Sequence, residues 1–254
     1  MLADLLAGQV WSIFLVFARF GAAFAVMPAF SEVFVPVRVR LLLAGAVTFA
    51  VAPAIAGMLP ALPAEPLQLA FVAGLEVAIG IFLGLIARLT LAAAHIAGLV
   101  IGYQTSLANA FAFDPSTHQQ GVITSAWMST LAIVVVMAGD LHHVLLRALV
   151  DSYAMFPAGH VVDPGEFAEA ATQMLGRSFG LGVRMAMPFL VYGIVLFLAL
   201  GLMQRLMPQL QVFFVAMPLQ LALGFVLLAM TTGLAMMLFV EEVETGLGSI
   251  IRMR

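Results

Sequence analysis

Uncharged apolar runs long enough to cross a lipid bilayer recur along this chain, and no other feature limits its folding as much. Leu41 to Ala64, Leu89 to Phe113, Gly121 to Gly139, Met185 to Gln204 and Leu206 to Val240 hold no Asp, Glu, Lys or Arg. Leu5 to Phe30 is interrupted only by Arg19, and Leu67 to Ala87 only by Glu76. A bilayer core takes about 20 apolar residues as helix, so these blocks allow roughly six or seven spans. Membrane β-barrels need strict alternation of apolar and polar residues, and the runs lack it. The expected fold is therefore all-α, a polytopic integral membrane protein.

Composition agrees. The 254 residues are 64% hydrophobic and 9% charged, with a mean hydropathy of +1.15. Soluble chains carry about a quarter charged residues, so an ordinary soluble enzyme, a disordered tail and a charge-driven nucleic-acid binder are all excluded. The chain needs lipid or apolar protein around it. It has no cysteine, which removes disulfides, thiolate chemistry and Cys-containing zinc sites. The first segment does not read as a cleavable signal peptide, because Asp4 stands where a basic region is needed. Arg38 and Arg40 between the first two segments, with Arg252 and Arg254 at the end, favour the cytoplasmic side for both places.

Asp151 to Glu169 gathers Asp151, Asp163, Glu166 and Glu169 with Pro157, Gly159, Pro164 and Gly165. This most polar stretch is expected to be a large exposed loop. Gly80/Gly84, Gly98/Gly102 and Gly176/Gly180 are GxxxG pairs that let helix backbones approach closely, read here as ordinary packing within the subunit. No internal repeat supports a symmetric transporter.

Little resembles catalytic chemistry. Asp140, His142 and His143 in GDLHH invite a metal reading, but neighbouring helical residues diverge by about 100°. The preferred reading is a helix start with Asp140 as N-cap or first-turn acid, so no metal and no cofactor are expected. No GxSxG, Ser–His–Asp set or phosphate loop occurs, and the chain is not expected to be an enzyme. Arg19, Glu76 and Arg88 are charges in or beside apolar segments, where each needs a partner, water or the interface. Glu76 and Arg88 are too far apart to pair on one helix, so pairing between helices or subunits is favoured over an ion pathway.

The segment GYQTSLANAFAFDPSTHQQG, Gly102 to Gly121, is the least ordinary. Pro115 disfavours helix at Asp114, so a helix should end there. Gln104, Asn109, Gln119 and Gln120 require partners or water at membrane depth. A re-entrant loop capped by Phe111 and Phe113 satisfies that demand, and a simple turn between helices fits the spacing equally well.

Three ordered blocks then carry a resemblance. RLMPQLQVFFVAMPLQLALG (Arg205 to Gly224), GDLHHVLLRALVDSYAMFPAG (Gly139 to Gly159) and GLVIGYQTSLANAFAFDP (Gly98 to Pro115) look like the signature blocks of the FliR/SctT family of type III secretion export-gate proteins. Arg19, Pro28, Phe30, Pro36 and Arg40 follow its pattern too, so the resemblance spans nearly the whole chain. It implies a single-copy subunit of a flagellar export gate, built with FliP and FliQ and associated with FlhB and FlhA. Such a gate passes unfolded flagellar proteins across the bacterial inner membrane at the flagellar basal body. It draws on the proton motive force and an export ATPase. An injectisome subunit for effector secretion is the near alternative, and a small secondary transporter or intramembrane enzyme the distant one.

The resemblance further implies a FliP-like part, residues 1–177, followed by a FliQ-like hairpin and tail, 178–254. It makes the 106–120 loop a pore plug, with Phe111 and Phe113 as gasket and Asp114 and Pro115 as a rigid turn. Gly98, Gly102, Gln104, Arg205, Pro208, Gln209 and Pro218 become helix and subunit packing positions. The family also implies a gate raised toward the periplasm, so sister subunits rather than lipid would cover many apolar faces. Thr105 and Ser106 stand where many members have glycine, a departure that bears on the backbone leading into the plug.

Overall fold

The computed structural model describes residues 2–32, 34–107, 123–161, 163–207 and 212–251, and every regular element among them is helical. In chain order these are α1 (Leu2–Val26), α2 (Val37–Ile55) with a 3-10 turn at Ala56–Met58, α3 (Pro66–Gln104), α4 (Ile123–Ala138), α5 (Leu141–Met155), α6 (Pro164–Leu206) and α7 (Val212–Ile251). Among the described residues five helices are long and apolar enough to span a membrane, or six if α4 and α5 together make one broken span. The all-α polytopic reading holds, with fewer spans than the apolar runs suggested.

The reduction has a simple cause. Hydropathy splits Leu67–Ala87 from Leu89–Phe113 at Arg88, but α3 runs through that residue for 39 residues. One long side chain on an exposed helix face leaves the backbone ladder untouched, since helix continuity depends on backbone hydrogen bonds rather than side-chain polarity. α3, α6 and α7, with 39, 43 and 40 residues, have contour lengths of about 58, 64 and 60 Å at 1.5 Å per residue. Each is roughly twice the hydrocarbon thickness of a bilayer. Pro218 does not end α7 either. It removes one backbone donor, a loss that helices in apolar surroundings absorb through neighbouring groups.

The expected large loop at Asp151 to Glu169 is a correction. Asp151 lies inside α5, and Glu166 and Glu169 inside α6. The polar residues there build helix ends. Asp163 accepts the Gly165 N–H through Oδ1 at 2.9 Å, and its carbonyl oxygen accepts the Glu166 N–H at 3.1 Å. Pro164 occupies the first helical position, where its missing N–H does no harm. Asp, Pro and Gly at this density mark a helix start as readily as a loop.

The described residues pack as two compact units. One comprises Met1–Thr90, Val136–Leu175 and Val243–Arg254, the other Leu91–Val135 and Gly176–Glu242. In the first, α1 buries Leu15, Val16, Phe20, Ala23 and Phe24 at helical spacing, Met27 just beyond it is buried too, and α5 buries Leu141, Leu145, Leu149 and Tyr153. Phe82 stacks on Phe167 with centroids 4.0 Å apart, beside Ile86 and Met174. In the second, α3 contributes Ala93, Ala94, Ala97 and Ile101, and α6 contributes Leu181, Met185, Ala186 and Phe189.

Two glycines decide how closely α1 and α3 pack in the first unit. A Cβ on Gly80 would overlap the carbonyl oxygen of Arg19, and one on Gly84 would stand 2.8 Å from that of Ala23. Gly176 and Gly180, in contrast, have nothing within 4 Å of a would-be Cβ. Sequence spacing alone treated these two pairs alike; Gly80 and Gly84 lie against a neighbouring helix of this chain, and Gly176 and Gly180 do not. Gly80→Ala should therefore lower the thermal stability of the detergent-purified chain by about 1–3 kcal/mol through overpacking. Gly176→Ala should be neutral or raise it by up to about 1 kcal/mol from helix propensity. Equal melting behaviour of the two variants would contradict this account.

Candidate functional site

The close approach at Gly80 brings a charge from α1 against a charge from α3. Arg19 lies on the inward face of α1, and Glu76 lies one turn before Gly80 on α3; both side chains are fully buried. Arg19 Nε donates to Glu76 Oε2 at 2.7 Å and Nη2 donates to Oε1 at 3.1 Å, a two-pronged pairing. Nη1 donates to Ser152 Oγ at 3.0 Å, and Nη2 also donates to the Phe156 carbonyl at 2.9 Å. The Tyr153 ring covers the guanidinium, 3.7 Å from centroid to Cζ. Thus α1, α3 and α5 meet at one guanidinium.

Each contact answers a local need. Phe156 follows the last residue of α5, where carbonyls lack helical partners and a cation is favoured. The Ser152 hydroxyl donates to the Leu149 carbonyl at 2.6 Å, leaving its oxygen to accept from Arg19. An unpaired charge here would cost at least a few kcal/mol. An apolar cavity beside this cluster is lined by Met27, Leu83, Leu149, Ser152, Met155 and Phe156.

A second arrangement, in the other unit, surrounds the end of α3. Gln220 Nε2 on α7 donates to the Gln104 carbonyl at 2.8 Å, and Tyr192 Oη on α6 donates to the Gln220 carbonyl at 3.0 Å. The Gln104 amide fills the space above Gly193, and the Thr105 methyl lies 2.6 Å from a would-be Cβ on Gly224. Thr105 Oγ1 returns to the Ile101 carbonyl at 2.8 Å. The α3 terminus is seated on α6 and α7 at two glycines. Ser106 then adopts φ 61°, in the left-handed region. Glycine takes that conformation freely, whereas other residues are strained by about 1–2 kcal/mol. Ser106 thus holds a backbone that glycine would take without strain.

The remaining singled-out positions are distributed as follows. Gly98 is buried, its carbonyl accepting from Thr124 Oγ1 at 2.7 Å, and Gly102 is buried on the same helix. Arg88 is exposed on α3, and does not join Glu76. Arg205 is exposed in the last turn of α6, where a cation suits the helix end, and Pro218 is exposed within α7. Phe111, Phe113, Asp114, Pro115, Pro208 and Gln209 lie outside the described residues.

At the corner before α5, two expectations change. Asp140 stands at the N-cap position but has φ 57° and makes no side-chain cap bond. Capping needs extended dihedrals that swing the side chain onto the first N–H groups; the left-handed conformation prevents it. The two histidines, expected to diverge, have ring centroids 4.1 Å apart. Sequence reading also missed Ser152, Tyr153, Tyr192 and Gln220 as partners. Gln220, an amide set between apolar residues in an uncharged run, was the detectable one.

Comparison with known proteins covers almost the entire chain. The family model described as "Bacterial export proteins, family 1" matches residues 10–246. A flagellar biosynthetic protein FliR of Caulobacter vibrioides is 38% identical over 91% of this chain and 92% of its own length. The FliR of Escherichia coli is 34% identical over 82% of this chain and 79% of its own. The Yop proteins translocation protein T of Yersinia pestis is 25% identical over 90% and 88%.

Removing one member of the buried pair strands the other. Arg19→Met or Glu76→Met alone should destabilise the chain by about 3–5 kcal/mol, and the double replacement should recover much of that loss. Thermal unfolding in detergent of the two single variants and the double one reads the coupling. Additive losses would show that the pair is not the connection described.

Proposed function

This chain belongs to the bacterial export proteins of family 1, and we propose that it is a non-enzymatic subunit of the flagellar type III protein export gate in the bacterial inner membrane. The observation that carries the reading is the match over residues 10–246 together with 38% identity across 92% of a flagellar FliR. Flagellar export is preferred to effector secretion because the translocation protein T relative reaches 25% identity over a similar share of the chain. In this reading one copy joins FliP- and FliQ-type subunits around a channel, with FlhB- and FlhA-type proteins alongside. Unfolded flagellar proteins pass through. Residues 1–177 form the FliP-like part and 178–254 the FliQ-like hairpin and tail, the hairpin being made by α6 from Ser178 onward and by α7.

Mechanistically, a plug needs a fixed base and a movable tip. The Gln104–Gln220–Tyr192 chain of hydrogen bonds supplies a candidate base, immediately before the 106–120 loop. From it Phe111 and Phe113 would extend as an apolar gasket closing the pore to ions, with Asp114 and Pro115 holding the turn. Opening then requires the loop to move while α3 stays seated. Helices about twice the bilayer thickness suit a gate that rises toward the periplasm, where sister subunits cover apolar faces such as Leu198, Leu202, Met230 and Met237, all exposed in the single chain.

Deleting residues 111–119 should leave assembly with the FliP- and FliQ-type chains intact, as read by co-purification and mass measurement of the complex. The same deletion should raise ion leak through the cell membrane. Leak at the parental level in an assembled gate would refute the plug role. Failure of the parental chain to co-purify with either partner would refute the gate assignment.

A further inference from the structure

We propose that the corner between α4 and α5 is a binding site for a divalent transition-metal ion of the zinc class, held by Asp140, His142 and His143. One donor atom from each residue, a carboxylate oxygen and two imidazole nitrogens, lies within 4.8 Å of the other two. His143 Nδ1 is 3.5 Å from Asp140 Oδ1, beyond the reach of a good charge-assisted hydrogen bond. The two are adjacent without a close hydrogen bond between them. His142 Nδ1 is buried and has no hydrogen-bond partner, an orphan nitrogen that calls for a ligand or a proton acceptor.

Consecutive histidines converge here because of where α5 begins. His142 and His143 belong to its first turn, and helical Cα–Cβ bonds tilt toward the N-terminus. Both rings therefore lean back over the corner. Asp140, left-handed and released from capping, keeps its carboxylate beside them. The donor set selects the metal: two imidazoles with one carboxylate suit Zn²⁺, Co²⁺, Ni²⁺ or Cu²⁺, whereas Mg²⁺ and Ca²⁺ prefer oxygen throughout. Bonds of about 2.0–2.1 Å place tetrahedral donors roughly 3.3 Å apart, so the site closes around an ion by side-chain rotation. Exposure of Asp140 and His143 leaves the fourth position to water. The bound ion would tie the start of α5 to the residue before it, stiffening the helix that delivers Ser152, Tyr153 and Phe156 to Arg19. The site stands independently of the export reading.

The test uses the full chain in detergent, purified on a tag without histidine. Co²⁺ titration should give visible d–d bands of a low-symmetry site, and Zn²⁺ should displace them with a one-to-one endpoint. Asp140→Asn and His143→Ala should each weaken Zn²⁺ binding at least tenfold, and His142→Ala/His143→Ala should abolish it. His95→Ala and His160→Ala should change nothing. Melting curves without metal, unchanged in Asp140→Asn, separate lost ligation from lost folding. Absence of Co²⁺ bands in the parental chain would overturn the proposal. So would Zn²⁺ affinity that is the same in every variant, which would mark adventitious binding elsewhere.

Discussion

A single buried guanidinium sets much of the first unit. Arg19 has no access to solvent and is held by a carboxylate from α3, a hydroxyl from α5 and the carbonyl that follows α5. Apolar faces by themselves pack in many rotations, because dispersion and burial are nearly indifferent to register. A charge in such surroundings is not indifferent, since any other arrangement leaves it unpaired. The pair therefore selects one alignment of α1, α3 and α5 from the many that leucine and phenylalanine would accept. The glycines at 80 and 84 make that alignment reachable by letting the backbones touch.

The same division between permissive apolar surface and selective polar contact recurs at the end of α3. There two backbone carbonyls, one amide side chain and a phenol fix the last turn against α6 and α7. The chain leaves this fixed point through a left-handed serine. From Pro66 to Leu107 the chain is helix or its termination, so any movement assigned to the following segment starts from a seated helix end.

Large apolar side chains also remain exposed along α2, α6 and α7 in the single chain. Contiguous exposure on this scale is uncommon in a protein that works alone in water. Membership in the bacterial export proteins of family 1 gives it a context, in which lipid and neighbouring subunits share the covering. Helices much longer than a bilayer is thick leave room for both.

Sequence by itself determined the all-helical membrane class, because uncharged runs of this length permit no other backbone arrangement in lipid. It also determined the family, because three ordered motif blocks carry specificity that no single spacing has. It marked Arg19 and Glu76 as charges in need of partners, without saying that they partner each other. Tertiary structure decided that, along with the fusion of two hydropathic segments into α3, the placing of Asp163 as a helix start, and the convergence of His142 and His143. The ion pair exists only once distant segments have been brought together, which no property of a single segment records. The other three are local, yet they depend on backbone dihedrals and side-chain directions that periodicity and hydropathy do not register.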